Sequence, residues 1–151
     1  FRLKHDLAGP GVTEQDVLDA TATIMPCFEI VDSRIRDWKI KIQDTVADNA
    51  SCGVFVLGDQ LVDISNLDLA LCGMVLEKNG EIVVTGAGAA TMGHPVNAMV
   101  WLANTLGALG IALKAGDIVL SGAMGAMVPV KAGDSLRMAI GGIGGCSVRF
   151  V

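Results

Sequence analysis

The sequence predicts an α+β domain in which strand outweighs helix, and three observations predict it. The apolar arms of GMVLEKNGEIVVTG flank Asn79-Gly80, the pair that type I′ hairpin turns select. Only two stretches, one after Thr13 and one after His94, combine apolar residues at helical spacing with a start signal. The last third alternates short apolar runs with glycine-bearing turns.

Taken in order, FRLKHDL reads as a strand and AGPGVT as a loop. Thr13 then caps a helix expected over Glu14 to Met25, with Asp16 as its capping-box partner and Val17, Leu18, Ala20, Thr21 and Ile24 as the inward stripe. Pro26 ends that helix, because its ring and missing N–H disfavour continuation. CFEIVD follows as a buried strand, RIRDWKIKIQ as an amphipathic strand or irregular arm, and VADNASCGVFVLG as a turn or short helix running into a strand. GDQLVDISNLDL is read as a surface loop, and GAGAATMG as a glycine-rich connection matching no phosphate-binding fingerprint. The second helix, VNAMVWLANTLGAL, has Pro95 at N1 and Gly110 at its C-terminal cap. Its apolar stripe is read as core, Trp101 as packing and His94 as a capping residue. Lys114-Ala115-Gly116-Asp117 recurs as Lys131-Ala132-Gly133-Asp134, read as one turn used twice, each copy ahead of a strand (DIVLSG and DSLRMAI). GIGGCSVRFV closes the sheet.

Composition bounds the function. With 151 residues, 52% of them hydrophobic, the chain has enough apolar material for a substantial core in one domain. A net charge of −5 argues against a general nucleic-acid surface, which needs clustered Lys and Arg. No apolar run is long enough to cross a bilayer. Cys27, Cys52, Cys72 and Cys146 are spaced too widely for a zinc ribbon or a redox pair, and are read as free thiols in the cytoplasm. The chain opens on Phe1 inside an apparent strand, without an initiator Met, so residues 1–151 are expected to be an N-terminally incomplete catalytic core.

Chemically useful side chains concentrate between Pro26 and Gly53. A carboxylate in a buried strand must be paired, protonated or bound to a cation, so Glu29 is either an ion-pair partner of Arg34 or Arg36, or a metal ligand. Asp48 and Asn49 read as turn formers. Ser121 and Gly122 sit at the end of IVLSG, where glycine lets a ligand approach and free N–H groups can hold a carboxylate; a tight turn is the alternative.

Together FEIVDSRIRDW, DTVADNASCG, GHPVNAMVWLAN and IVLSGAMGAMVPVKAGDSL resemble the fumarylacetoacetase superfamily, and within it the branch that hydrates 2-hydroxypenta-2,4-dienoate. The resemblance implies that family's fold, a mixed β-sheet roll with few helices. It also implies Mg²⁺ or Mn²⁺, a small 2-oxo acid or dienol substrate, and assembly as a homo-oligomer. By match to the motifs, Glu29 would be one metal ligand, with a Glu-x-Glu pair expected upstream of Phe1. Ser51 would be a catalytic and substrate-binding group, Ser121 and Gly122 would contact the substrate, and Asp48 and Asn49 would support the site. The implied chemistry is ketonisation of the dienol by protonation at C5 and addition of water at C4, giving 4-hydroxy-2-oxopentanoate. Two other readings stand beside it: a 4-oxalocrotonate decarboxylase of the same superfamily, and a non-catalytic assembly core lacking two metal ligands.

Overall fold

The computed structural model describes residues 1–151. Eight strands and three α-helices follow one another as β1 (Arg2–Leu3), α1 (Glu14–Ala20), β2 (Thr21–Thr23), β3 (Cys27–Val31), α2 (Ile42–Ala47), β4 (Cys52–Leu57), β5 (Gly73–Lys78), β6 (Glu81–Ala87), α3 (Pro95–Gly107), β7 (Ser135–Ile140) and β8 (Gly144–Arg149). The α+β class with few helices is what the sequence implied. Every ladder, however, is antiparallel rather than mixed: β1 pairs with β2, β3 with β4, and the third sheet runs β6-β5-β7-β8. The links β5–β6 and β7–β8 are too short for the crossover that a parallel pair needs.

The hairpin forms as read, with Asn79 at φ 55° and Gly80 at φ 87°. Asp134 ties it to the second KAGD turn, accepting from Asn79 Nδ2 (2.9 Å) and Lys131 N (2.9 Å) and pairing with Lys78 Nζ (2.9 Å). Those hydrogen bonds, from Asn79 first and then Lys78 and Lys131, hold its pKa down to about 2. The first KAGD turn has the same design, Asp117 Oδ2 accepting from Lys114 N at 2.7 Å.

Helix α1 begins where predicted, with Thr13 Oγ1 accepting from Asp16 N (3.2 Å) and Asp16 Oδ2 from Thr13 N (2.8 Å). It stops at Ala20, five residues short of the expected Met25. Thr21–Thr23 instead pairs with β1, and Ile24 bridges to Val62. β-branched Thr21, Thr23 and Ile24 suit strand better than helix, so a non-local partner prevails over the local pattern. The first strand is correspondingly short, extended only by the bridges Arg2↔Ile118 and Leu7↔Leu113. DIVLSG forms no strand of its own; it only borders β1, with Leu3 N donating to Asp117 O (3.0 Å) and Val119 N to Phe1 O (2.9 Å) around the Arg2↔Ile118 bridge. The region around residue 60 is no mere surface loop either, since Ile64 and Leu69 are buried.

The core is one cluster in which Val17 and Ala20 of α1 meet Met99 and Ala103 of α3, and the third sheet adds Met74, Leu76, Leu136, Met138 and Ile140. Glycine permits a close approach of the Gly9 loop to α3: a Cβ at Gly107 would lie 2.2 Å from the carbonyl carbon of Gly9. Asn104 pins that crossing, its Oδ1 accepting from Gly11 N (2.7 Å) and Val12 N (2.8 Å). His94 caps α3 as read, with Nδ1 accepting from Val96 N at 3.2 Å. Trp101 does not pack; it lies on the outer face of α3 and is 56% exposed. All four cysteines are free.

Candidate active site

A cavity of about 520 Å³ opens between β3, the third sheet and the extended segment after Val119. Of its 33 lining residues, 25 are apolar, so the few polar groups on its wall define where chemistry can happen. They include Glu29 from β3, Thr91 from the glycine-rich connection and Ser121 with Gly122 from the segment after Val119. Burial pushes up the thiols of Cys27 and Cys72, which also line it, and keeps them neutral.

Ser121 and Gly122 are presented by backbone that belongs to no helix or strand. Gly122 has φ 124°, a conformation that a side chain resists. The N–H groups of Leu120 through Met124 donate to no protein acceptor, which leaves a run of donors along the cavity wall. Thr91 is 6% exposed, and its hydroxyl reaches Ala123 O at 3.5 Å.

Glu29 departs from expectation. The strand CFEIVD is half-buried rather than buried, and Glu29 itself is exposed, paired across the ladder with Phe55. Neither Arg34 nor Arg36 pairs with it, because Arg34 is engaged with Asp48 at 2.6 Å. The sequence pattern assumed both faces of β3 covered, whereas its partner β4 is largely exposed. An exposed carboxylate without a cationic partner, at the edge of an apolar cavity, fits one ligand of a hard divalent cation. No group of three or more His, Cys, Asp or Glu side chains is arranged to hold a metal ion, so Glu29 does not form a complete site with its neighbours here.

Ser51, Asp48 and Asn49 do not line the cavity. Ser51 and Asp48 are instead part of a buried polar knot at the foot of the β3–β4 ladder. The Ser51 hydroxyl donates to Asp48 Oδ2 (3.2 Å), which also accepts from Ser33 Oγ (3.3 Å) and Arg34 N (3.1 Å). Burial alone would raise the Asp48 pKa, but the Arg34 backbone bond, its guanidinium and the two hydroxyls outweigh burial and lower it. Asn49, Ala50 and Ser51 run consecutively at φ 49°, 57° and 56°, a left-handed turn costing about 1–2 kcal/mol per residue that the knot must hold in place.

Thr91 and Arg34 were missed by sequence reasoning. Thr91 sits in a stretch that reads as a connection, and Arg34 has a nearer apparent partner in Glu29; neither carries a local signal of its place.

The fumarylacetoacetate hydrolase C-terminal family matches residues 5–151. The chain belongs to this family. It is 61% identical to 2-hydroxyhexa-2,4-dienoate hydratase of Comamonas testosteroni over 150 residues, 99% of this chain and 57% of that protein. Over 112 residues it is 69% identical to 2-hydroxypent-2,4-dienoate hydratase of Pseudomonas putida, covering 74% of this chain and 50% of the relative. Among solved structures, 4-oxalocrotonate decarboxylase from Pseudomonas putida G7, complexed with magnesium and adipate, superposes with a TM-score of 0.94 at 39% identity, covering 99% of this chain and 57% of that one. The chain thus spans about half the length of these proteins, 50–57% of each.

Proposed function

We propose that this chain supplies the cavity wall of a metal-dependent hydro-lyase that adds water to 2-hydroxypenta-2,4-dienoate or a close homologue, giving 4-hydroxy-2-oxopentanoate from the five-carbon substrate. The observation that carries the reading is the convergence of Glu29 with Ser121 and Gly122 on one apolar cavity, from segments far apart in sequence. The hydratase names of relatives at 61% and 69% identity support it.

Glu29 would be one oxygen ligand of Mg²⁺ or Mn²⁺. When bound, such a cation supplies Lewis-acid polarisation of the substrate's 2-oxo oxygen. The residues of this chain bind and orient. The free N–H groups around Ser121 and Gly122 are suited to the substrate carboxylate, which a row of backbone donors holds without a counter-charge. The apolar wall, Met74, Met124 and Met138 among it, takes the hydrocarbon tail and excludes bulk water. Ser51 is proposed as a catalytic hydroxyl with Asp48 and Asn49 supporting it, and since it lies buried beside Asp48 and off the cavity wall, that role rests on the family motif and not on contact with the cavity. The 151 residues alone, with one carboxylate at the cavity, are expected to turn over poorly. The whole protein is proposed to be a cytoplasmic homo-oligomer that binds no nucleic acid; no helix of the structure is long and apolar enough to cross a membrane.

A decarboxylase is the second reading, favoured by the 0.94 TM-score to 4-oxalocrotonate decarboxylase. Turnover by the whole protein separates the two. Water addition to 2-hydroxypenta-2,4-dienoate, followed by loss of its ultraviolet absorbance, is the expected result. CO₂ release from 4-oxalocrotonate without hydration would overturn it.

A further inference from the structure

Between β3 and β4 the chain makes an excursion from Asp32 to Ser51 that has little apolar burial to hold it. No residue from Arg34 to Ala47 is buried, and Trp38, Ile42 and Val46 are 46%, 70% and 74% exposed. Order is concentrated at the neck, where the two ends of the excursion meet. Asp32 N donates to Ser51 O (2.9 Å), and Asp48 and Ser51 are the buried polar residues.

The guanidinium of Arg34 spans this neck. Its Nε meets Asp48 Oδ1 (2.6 Å), Nη1 donates to Asp32 O (2.9 Å) and Cys52 O (2.6 Å), and Nη2 donates to Asp48 O (2.9 Å). One side chain therefore joins the end of β3, the start of β4 and the end of α2. The left-handed run Asn49 to Ser51 is enclosed between those contacts.

We infer that Arg34 is a positioning residue for the site: its planar fork latches the excursion shut, so that Ser51 and the ladder bearing Glu29 keep one geometry. This rests on the proposed roles of Ser51 and Glu29. A lysine could not replace it, because a single ammonium cannot direct donors at four acceptors fixed around a plane. Arg34→Lys therefore separates charge from geometry.

The test uses the whole protein and its Arg34→Lys and Arg34→Ala variants, with 2-hydroxypenta-2,4-dienoate as substrate. Misplacing a reacting group by about 1 Å costs on the order of 10²-fold in rate. Both variants are expected to lose kcat on that order with a smaller change in KM, and Arg34→Lys should behave like Arg34→Ala despite keeping the charge. Added guanidinium ion should restore part of the Arg34→Ala rate, which general loosening of the fold would not allow. Trypsin should cleave after Arg36, Lys39 and Lys41 faster in both variants. If Arg34→Ala does not fold, Arg34→Lys with the trypsin measurement decides alone. Wild-type kcat in Arg34→Lys, or unchanged cleavage, would overturn the latch while leaving the hydratase reading intact. A wild-type protein inert towards the dienoate would overturn that reading and the positioning role together.

Discussion

Gly88 stands where β6 turns towards α3, and replacing it with alanine should be among the most damaging small changes in this chain. An added Cβ would lie 1.7 Å from Leu69 O and 2.8 Å from its carbonyl carbon. An ordinary C···O approach is about 3.3 Å, so the two backbones must separate by roughly 1.6 Å. Neither side yields easily. Gly88 N donates to Cys72 O (3.0 Å), Ala89 N donates to Ala70 O (2.9 Å), and Leu69 is 4% exposed within the core. Overpacking costs about 1–3 kcal/mol when side chains can adjust, and here the obstacle is backbone, which places Gly88→Ala at about 3 kcal/mol or above. For a chain of this size that is a fall of roughly 6–12 °C in Tm. Thermal unfolding followed by circular dichroism reads it directly. Gly73→Ala is the control, with nothing within 4 Å of its added Cβ and an ordinary φ. A Gly88→Ala protein melting within 2 °C or so of that control would refute the claim that the turn and the Leu69 backbone are rigidly apposed.

Other consequences can be measured alongside. Met99 is fully buried at the α1–α3 crossing, so Met99→Ala should lose about 2–5 kcal/mol in urea unfolding, whereas exposed Trp101→Ala should stay within about 0.5 kcal/mol of wild type. Asp134, with its pKa held near 2 against an ordinary 3.8, contributes stability that is complete above about pH 4 and fades as pH falls towards 2, because the unfolded chain takes up the proton first. Asp134→Asn should therefore flatten the acid limb of the stability profile in that window; an unchanged limb would mean that the Asn79–Lys78–Lys131 cluster does not hold the carboxylate. Asn104→Ala removes three hydrogen bonds that tie the Gly11–Val12 loop to α3, and hydrogen exchange should rise in that loop first.

What could be read from the sequence was what is decided locally. The Asn79-Gly80 turn, the Thr13–Asp16 box, the Pro95 start of α3 and the repeated KAGD turn depend on neighbours within a few residues, and each formed as read. Thr21 to Ile24 continued a helical stripe by spacing, yet its fate was set by β1 and Val62, partners that no window of ten residues contains. The same limit governed the site. Glu29 and Ser121 were identifiable as residue types in suggestive settings, but their meeting on one cavity depends on how the β3–β4 ladder sits against the third sheet. Arg34 was one of two arginines offered as an ion-pair partner of Glu29, with metal ligation as the alternative, and the pairing with Asp48 at 2.6 Å was out of view because the two residues meet only in the folded neck. Ser51 carried a motif but no sign of its burial. Burial of a hydroxyl is fixed by what packs over it.

The most direct test of the account is the Mg²⁺ dependence of dienoate hydration by the whole protein, compared with its Glu29→Gln variant. Exchanging one carboxylate ligand for a neutral amide should raise the Mg²⁺ concentration for half-maximal rate by about tenfold or more, since hard-cation affinity follows ligand charge. Isothermal titration of Mg²⁺ without substrate should shift in the same direction. Identical Mg²⁺ curves for wild type and Glu29→Gln would contradict the placement of the cation at the mouth of this cavity.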